Sequence, residues 1–84
     1  MEKKEIGRVS HYFRKPSVAA IVLTDDLKIG DSISIQGHTT DFEMVVESIH
    51  IKEDALTEAG AGDNVGIKVP EKVREHDVVY KIIE

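Results

Sequence analysis

Between Gly37 and Asp41 the chain reads Gly-His-Thr-Thr-Asp, which gathers an imidazole, two hydroxyls and a carboxylate in one short run. Such a set can supply a general base, a nucleophile and an orienting acid if a shielded scaffold holds them within hydrogen-bond reach. The same residues also make a polar reversal, with threonine and aspartate bonding backbone groups and the histidine solvated. A loop in a chain of 84 residues offers little shielding, so the turn reading is preferred, with His38 as a contact residue for a partner. The other histidines, His11, His50 and His76, stand at no spacing that converges on a metal, and the chain has no cysteine. Asp25, Asp26 and Asp31 fall among turn residues. No catalytic residue, metal ligand or cofactor is therefore expected.

A second stretch, "GRVSHYFRKPS" from Gly7 to Ser17, interleaves Arg8, His11, Arg14 and Lys15 with Tyr12 and Phe13. Aromatic faces stack on unpaired bases while guanidinium and ammonium groups meet phosphate, the combination single-stranded RNA binders use. Strict strand alternation would put Arg8, Tyr12 and Arg14 on one face and Val9, His11 and Phe13 on the other. Arg8, Tyr12, Arg14 and Lys15, with His38, are thus the expected contacts for RNA or another partner. In the competing reading Phe13 anchors the core and the charges protect an edge strand from aggregation.

The elements that must position these residues read as strands. Ten Val and ten Ile stand against three Leu, and β-branched side chains suit pleated, half-buried surfaces. Six runs are bounded by turn residues: 6–13, 17–23, 32–36, 42–51, 64–69 and 78–83. Pro16 suits the turn after the first, since it lacks a backbone donor. The second, "SVAAIVL", is nearly continuous in apolar residues, as burial on both faces would require. In the fourth, Phe42, Met44 and Val46 share one parity and Ile49 and Ile51 the other, so a bulge is expected near Glu47. "EDALTEA", residues 53–59, could form one helical turn but is too short to count as a helix. The expectation is one all-β domain over residues 1–84: a small closed Greek-key barrel of six strands, or seven with one more.

Composition sets outer bounds. With 40% hydrophobic and 32% charged residues the chain is globular, and no apolar run approaches the length of a membrane span. The charged beginning "MEKKEIGRV" lacks a secretory apolar segment, so a cytoplasmic location is expected. A single Asn, a single Gln and no Cys suit a thermophile. The net charge of −5 argues against indiscriminate binding to polynucleotides. Yet residues 1–20 carry five Lys and Arg against two Glu, a balance of +3. Residues 37–84 carry five bases against eleven acids, a balance of −6. A basic hairpin on an acidic body can meet RNA or a complementary protein.

Three phrases resemble the second, β-barrel domain of translational GTPases such as elongation factor Tu and initiation factor two. They are "LKIGDSISIQG" from Leu27, "VESI" from Val46 and "EAGAGDNVGIKV" from Glu58, with Gly7-Arg8-Val9 ahead of them. A closer resemblance, in "GHTTDF", "VSHYF" and "EKVREHDVVYKI", is to the carboxy-terminal barrel of collagenase-type peptidase-family proteins, and to its standalone elongation-factor-like form. Bacterial members of that family are associated with RNA hydroxylation as well as proteolysis. Together these resemblances imply a non-catalytic translation-factor-like barrel contacting transfer RNA or ribosomal RNA. The alternative they imply is an accessory module docking onto a separate peptidase-like or RNA-modifying enzyme. No G-x-x-x-x-G-K-[ST] run occurs, so no GTP binding is expected.

Overall fold

The computed structural model describes residues 2–15 and 17–83, so Pro16 lies outside the described residues. Ten strands follow one another: β1 (Glu2–Phe13), β2 (Val18–Leu23), β3 (Leu27–Lys28), β4 (Ser32–Gln36) and β5 (Asp41–Val45), then β6 (Ile49–Ile51), β7 (Asp54–Leu56), β8 (Glu58–Ala59), β9 (Asn64–Lys68) and β10 (Val78–Ile83). Eight form an antiparallel sheet in the order β5-β4-β10-β1-β2-β9-β6-β7, and β3 pairs with β8. The all-β expectation holds. The ladders run in linear order from β5 to β7 and do not by themselves show the ring of six or seven strands closed. The corner between the sheets is tied by single backbone bonds instead: Ile29 N–H donates to Thr57 C=O (3.0 Å) and Gly30 N–H to Val46 C=O (2.8 Å).

The core takes one face of each strand. Ala19, Ile21 and Leu23 of β2 point inward and are fully buried, as are Ile33 and Ile35 of β4 and Val65 and Ile67 of β9. "SVAAIVL" is therefore not buried on both faces: Val18 and Ala20 are half-buried and Val22 is 42% exposed. No described layer covers the outer side of β2, so its second set of apolar residues meets solvent.

The run 42–51 is two strands rather than one. Val46 N–H donates to Asp31 C=O (2.9 Å), which diverts the backbone at the point where the parity changes. The expected change of face at Glu47 is thus a break, with β5 and β6 six places apart in the strand order. Residues 53–59 hold β7 and β8 rather than a helical turn, because Ile49 to Ile51 offer β7 a ladder and Leu27 and Lys28 offer one to β8.

Three four-residue turns share one construction. At Lys28–Asp31, Gly60–Asp63 and Arg74–Asp77 the last N–H donates to the first C=O. The aspartate carboxylate in turn accepts the first residue's N–H, at 3.0, 2.9 and 2.9 Å. The third position has positive φ each time: Gly30 (96°), Gly62 (92°) and His76 (75°). Glycine adopts that conformation without penalty, whereas a side chain such as that of His76 is strained by it. His76→Gly should raise stability by about 0.5 kcal/mol, the relieved strain exceeding the extra freedom glycine adds to the unfolded chain. A urea titration checks this, and a loss of stability would refute the strain.

Candidate interaction surface

A register shift against β2 between Val9 and His11 puts Ser10 in a bulge. Before it, Arg8 is exposed and Val9 buried; after it, Tyr12 packs against the core while His11 and Phe13 face out. The alternation expected from sequence is therefore inverted beyond Ser10. Phe13, 47% exposed, is the outer aromatic, and its ring meets that of His11 edge-on at 4.6 Å between centroids. Tyr12 does not share a face with Arg8.

Beside this half of β1 lie the outer faces of β2, β9 and β6. Ala20 stands opposite both His11 and Gly66, and His50 opposite Gly66. Ala20 and Gly66 form the floor of a groove of about 760 Å³, with Phe13 and Val18 towards one end and Asn64 towards the other. A Cβ at Gly66 would stand 3.1 Å from Val18 Cγ1, so glycine keeps this floor low.

Lys52 and Asp63 line the groove, and further cations stand beyond its ends. Lys68 stands opposite Val18, next to the turn that carries Arg14 and Lys15, and Arg8 stands opposite Val22 at the other end, where Lys52 lines the wall. Arg8 Nε is 3.8 Å from Glu5 Oε2 and His11 Nδ1 is 3.4 Å from Glu75 Oε1. Among the described residues Arg14, Lys15, Lys52 and Lys68 make no ion pair. Of the sequence-predicted contacts, Arg8, Arg14 and Lys15 thus border one surface. His38 lies in the β4–β5 loop, with β10 between its strand and β1. Sequence reasoning missed His50, Lys52, Gly66 and Lys68, which only strand pairing brings to β1.

The Gly37–Asp41 run is a turn. Gly37 N–H donates to Thr40 C=O (2.7 Å), Thr40 is buried and His38 exposed. No side-chain hydrogen bond among the described residues joins His38 to Thr39 or Asp41. Nor do three His, Cys, Asp or Glu side chains among the described residues gather as a metal site. No helix of the described residues is long and apolar enough to cross a membrane.

Away from the groove, Lys4 Nζ lies 2.6 Å from Asp25 Oδ2, and Asp26 N–H donates to Asp25 Oδ1 at 2.7 Å. These two bonds, the lysine's first, hold the Asp25 carboxyl below its ordinary range, and Asp25 raises the Lys4 ammonium in return. A carboxyl depressed by folding contributes stability above its unfolded pKa and loses it as pH falls through the folded one. Asp25→Asn should therefore lower stability slightly at neutral pH, the pair being exposed, and leave it unchanged once pH has fallen below the folded pKa, so that the acid arm becomes shallower. Thermal melts across that range check it, and an unchanged acid arm would refute the coupling.

The fold is that of a small antiparallel β-domain, and its similarities run to segments of larger proteins. The chain is 48% identical over 83 residues to an uncharacterized protease of Methanocaldococcus jannaschii, and 34% identical over 82 residues to a collagenase of Porphyromonas gingivalis. The matches cover 98% and 95% of this chain but only 20% and 23% of those proteins, so it spans about a fifth of their length. The fold matches the crystal structure of the C-terminal domain of a Geobacillus thermoleovorans protein provisionally assigned as a U32 peptidase, with a TM-score of 0.89 at 20% identity. That match covers 95% of this chain and 93% of the solved one. No family model matches the chain. The similarity thus runs to the collagenase-type proteins, and the translation-factor likeness takes no support from it.

Proposed function

We propose that this domain is a non-catalytic accessory module of a peptidase-like protein. The observation that carries the reading is the proportion of the match: nearly all of this chain against about a fifth of its relatives. The site chemistry agrees, since the Gly37–Asp41 run is a turn and the polar groups of the groove suit contact rather than bond cleavage. An accessory module contributes by docking onto the catalytic portion or positioning its substrate, and needs no reactive residue of its own.

The Porphyromonas gingivalis collagenase tests this. The isolated 84-residue chain should cleave neither collagen nor gelatin. The collagenase lacking its matching segment should lose activity about tenfold or more, and insertion of this chain there should restore it. Cleavage by the isolated chain would overturn the reading, as would full activity of the soluble deletion variant.

A further inference from the structure

We propose that the outward face of β1, β2, β9 and β6 is the module's docking face, and that its occupant is an acidic, apolar segment of the peptidase-like polypeptide. This rests on the accessory reading above and adds the surface and the chemistry of the partner. From Arg8 through β2 and β9 to His50, no outward-facing strand residue is a carboxylate, although the whole chain carries a net charge of −5. Acids meet this face at its margins: Glu5 at Arg8, Glu75 at His11, and Asp63 in the groove's lining, where its carboxylate accepts the Gly60 N–H. Arg14, Lys15 and Lys68 at one end and Lys52 at the other await a counter-charge. Complementarity of this kind selects an anionic occupant and fixes its register.

The floor between those cations decides which anion. Val18, Ala20 and Gly66 are aliphatic or bare backbone, exposed Val22 continues the same face of β2, and Phe13 lines the groove as an anchor. Bases need planar faces at successive positions to stack on, and the bulge at Ser10 has turned Tyr12 into the core. A trough with an aliphatic floor, Phe13 and His50 set apart on its walls and a charged rim instead matches a protein interface, where a partner's large side chain fills the trough and excludes water. The relatives supply the chain to fill it, since most of their length lies outside the matching segment.

The absence of cysteine makes a footprint direct. Single Val22→Cys and Thr39→Cys variants are prepared in the isolated chain and in the Methanocaldococcus jannaschii relative whose matching segment is replaced by this chain. Alkylation by iodoacetamide is followed at each position by mass spectrometry, with and without ribonuclease. In the chimaera position 22 should react about tenfold more slowly than in the isolated chain, while position 39 is unchanged. Phe13→Ala with Lys68→Glu, both exposed positions, should restore the fast rate with thermal stability retained. Protection at position 39 but not 22 would show docking through another face, overturning this inference and sparing the accessory reading. No protection at either would count against both. Protection that ribonuclease removes would make RNA the occupant, and protection that survives the double substitution would show that these groups are not used; either overturns the proposal.

Discussion

Ile21→Ala should destabilise the domain by about 3–4 kcal/mol and lower Tm by about 12–30 °C, given the size of the chain. Ile21 is fully buried in β2, with Val9 of β1 and Val65 of β9 as its cross-strand neighbours. Its Cγ2 also reaches to 3.0 Å from the place a Cβ at Gly7 would occupy. The cavity left by the truncation is walled by three strands at the centre of the sheet, which cannot collapse onto it without breaking ladder bonds. The adjacent Val22→Ala is the control: its side chain points outward and is 42% exposed, so the loss should stay within about 0.5–1 kcal/mol. Urea denaturation of both variants decides the matter, and equal losses would mean that β2 is not one-sided as described.

Asp77→Ala should cost about 2 kcal/mol, more than a surface aspartate would, because the side chain is only 4% exposed. Its Oδ2 accepts the Arg74 N–H at 2.9 Å and closes the third turn, which unlike its two counterparts has no glycine to relax it. Oδ1 occupies the space a Cβ at Gly37 would need. Gly37→Ala should thus cost about 1–3 kcal/mol in the native chain and much less once Asp77 is alanine. The double-mutant cycle should show a coupling of about 1–2 kcal/mol between positions distant in sequence. Additive losses would refute the packing of the β4–β5 loop against the Asp77 turn.

Much of the fold was legible because its signals are local. β-Branched runs marked the strands, and Gly30-Asp31 and Gly62-Asp63 marked two of the three carboxylate-closed turns. The third was hidden, because His76 occupies a glycine's place and no propensity announces a strained histidine. The site was legible only in part. Arg8 and the turn that carries Arg14 and Lys15 flank the groove without lining it, and the bulge at Ser10 exchanged Phe13 for Tyr12. A bulge is set by how two strands register against each other, which alternation within one strand does not encode. Lys68 of β9, His50 of β6 and Lys52 just after it were out of reach for the same reason, reaching β1's side of the sheet only across β2 in the assembled order. The overextended strand 42–51 failed because Asp31, outside that window, recruits the Val46 amide.

The pairing of β1 with β10 has a consequence for how the molecule comes into being. Glu2 lies opposite Ile83 and Arg8 opposite Val78, so β1 takes one of its two neighbours from residues translated some seventy positions later. While the ribosome is still threading residues 78–83, the nascent hairpin of β1 and β2 exposes an unpaired ladder and the apolar side chains of Ile6 and Val9. Non-local pairing of this sort is slow to form and open to wrong partners in the interim. Folding of the sheet's centre is therefore an event that follows release of β10 from the exit tunnel, whatever polypeptide comes after it. A nascent chain stalled before Val78 should bind chaperones that the finished domain ignores.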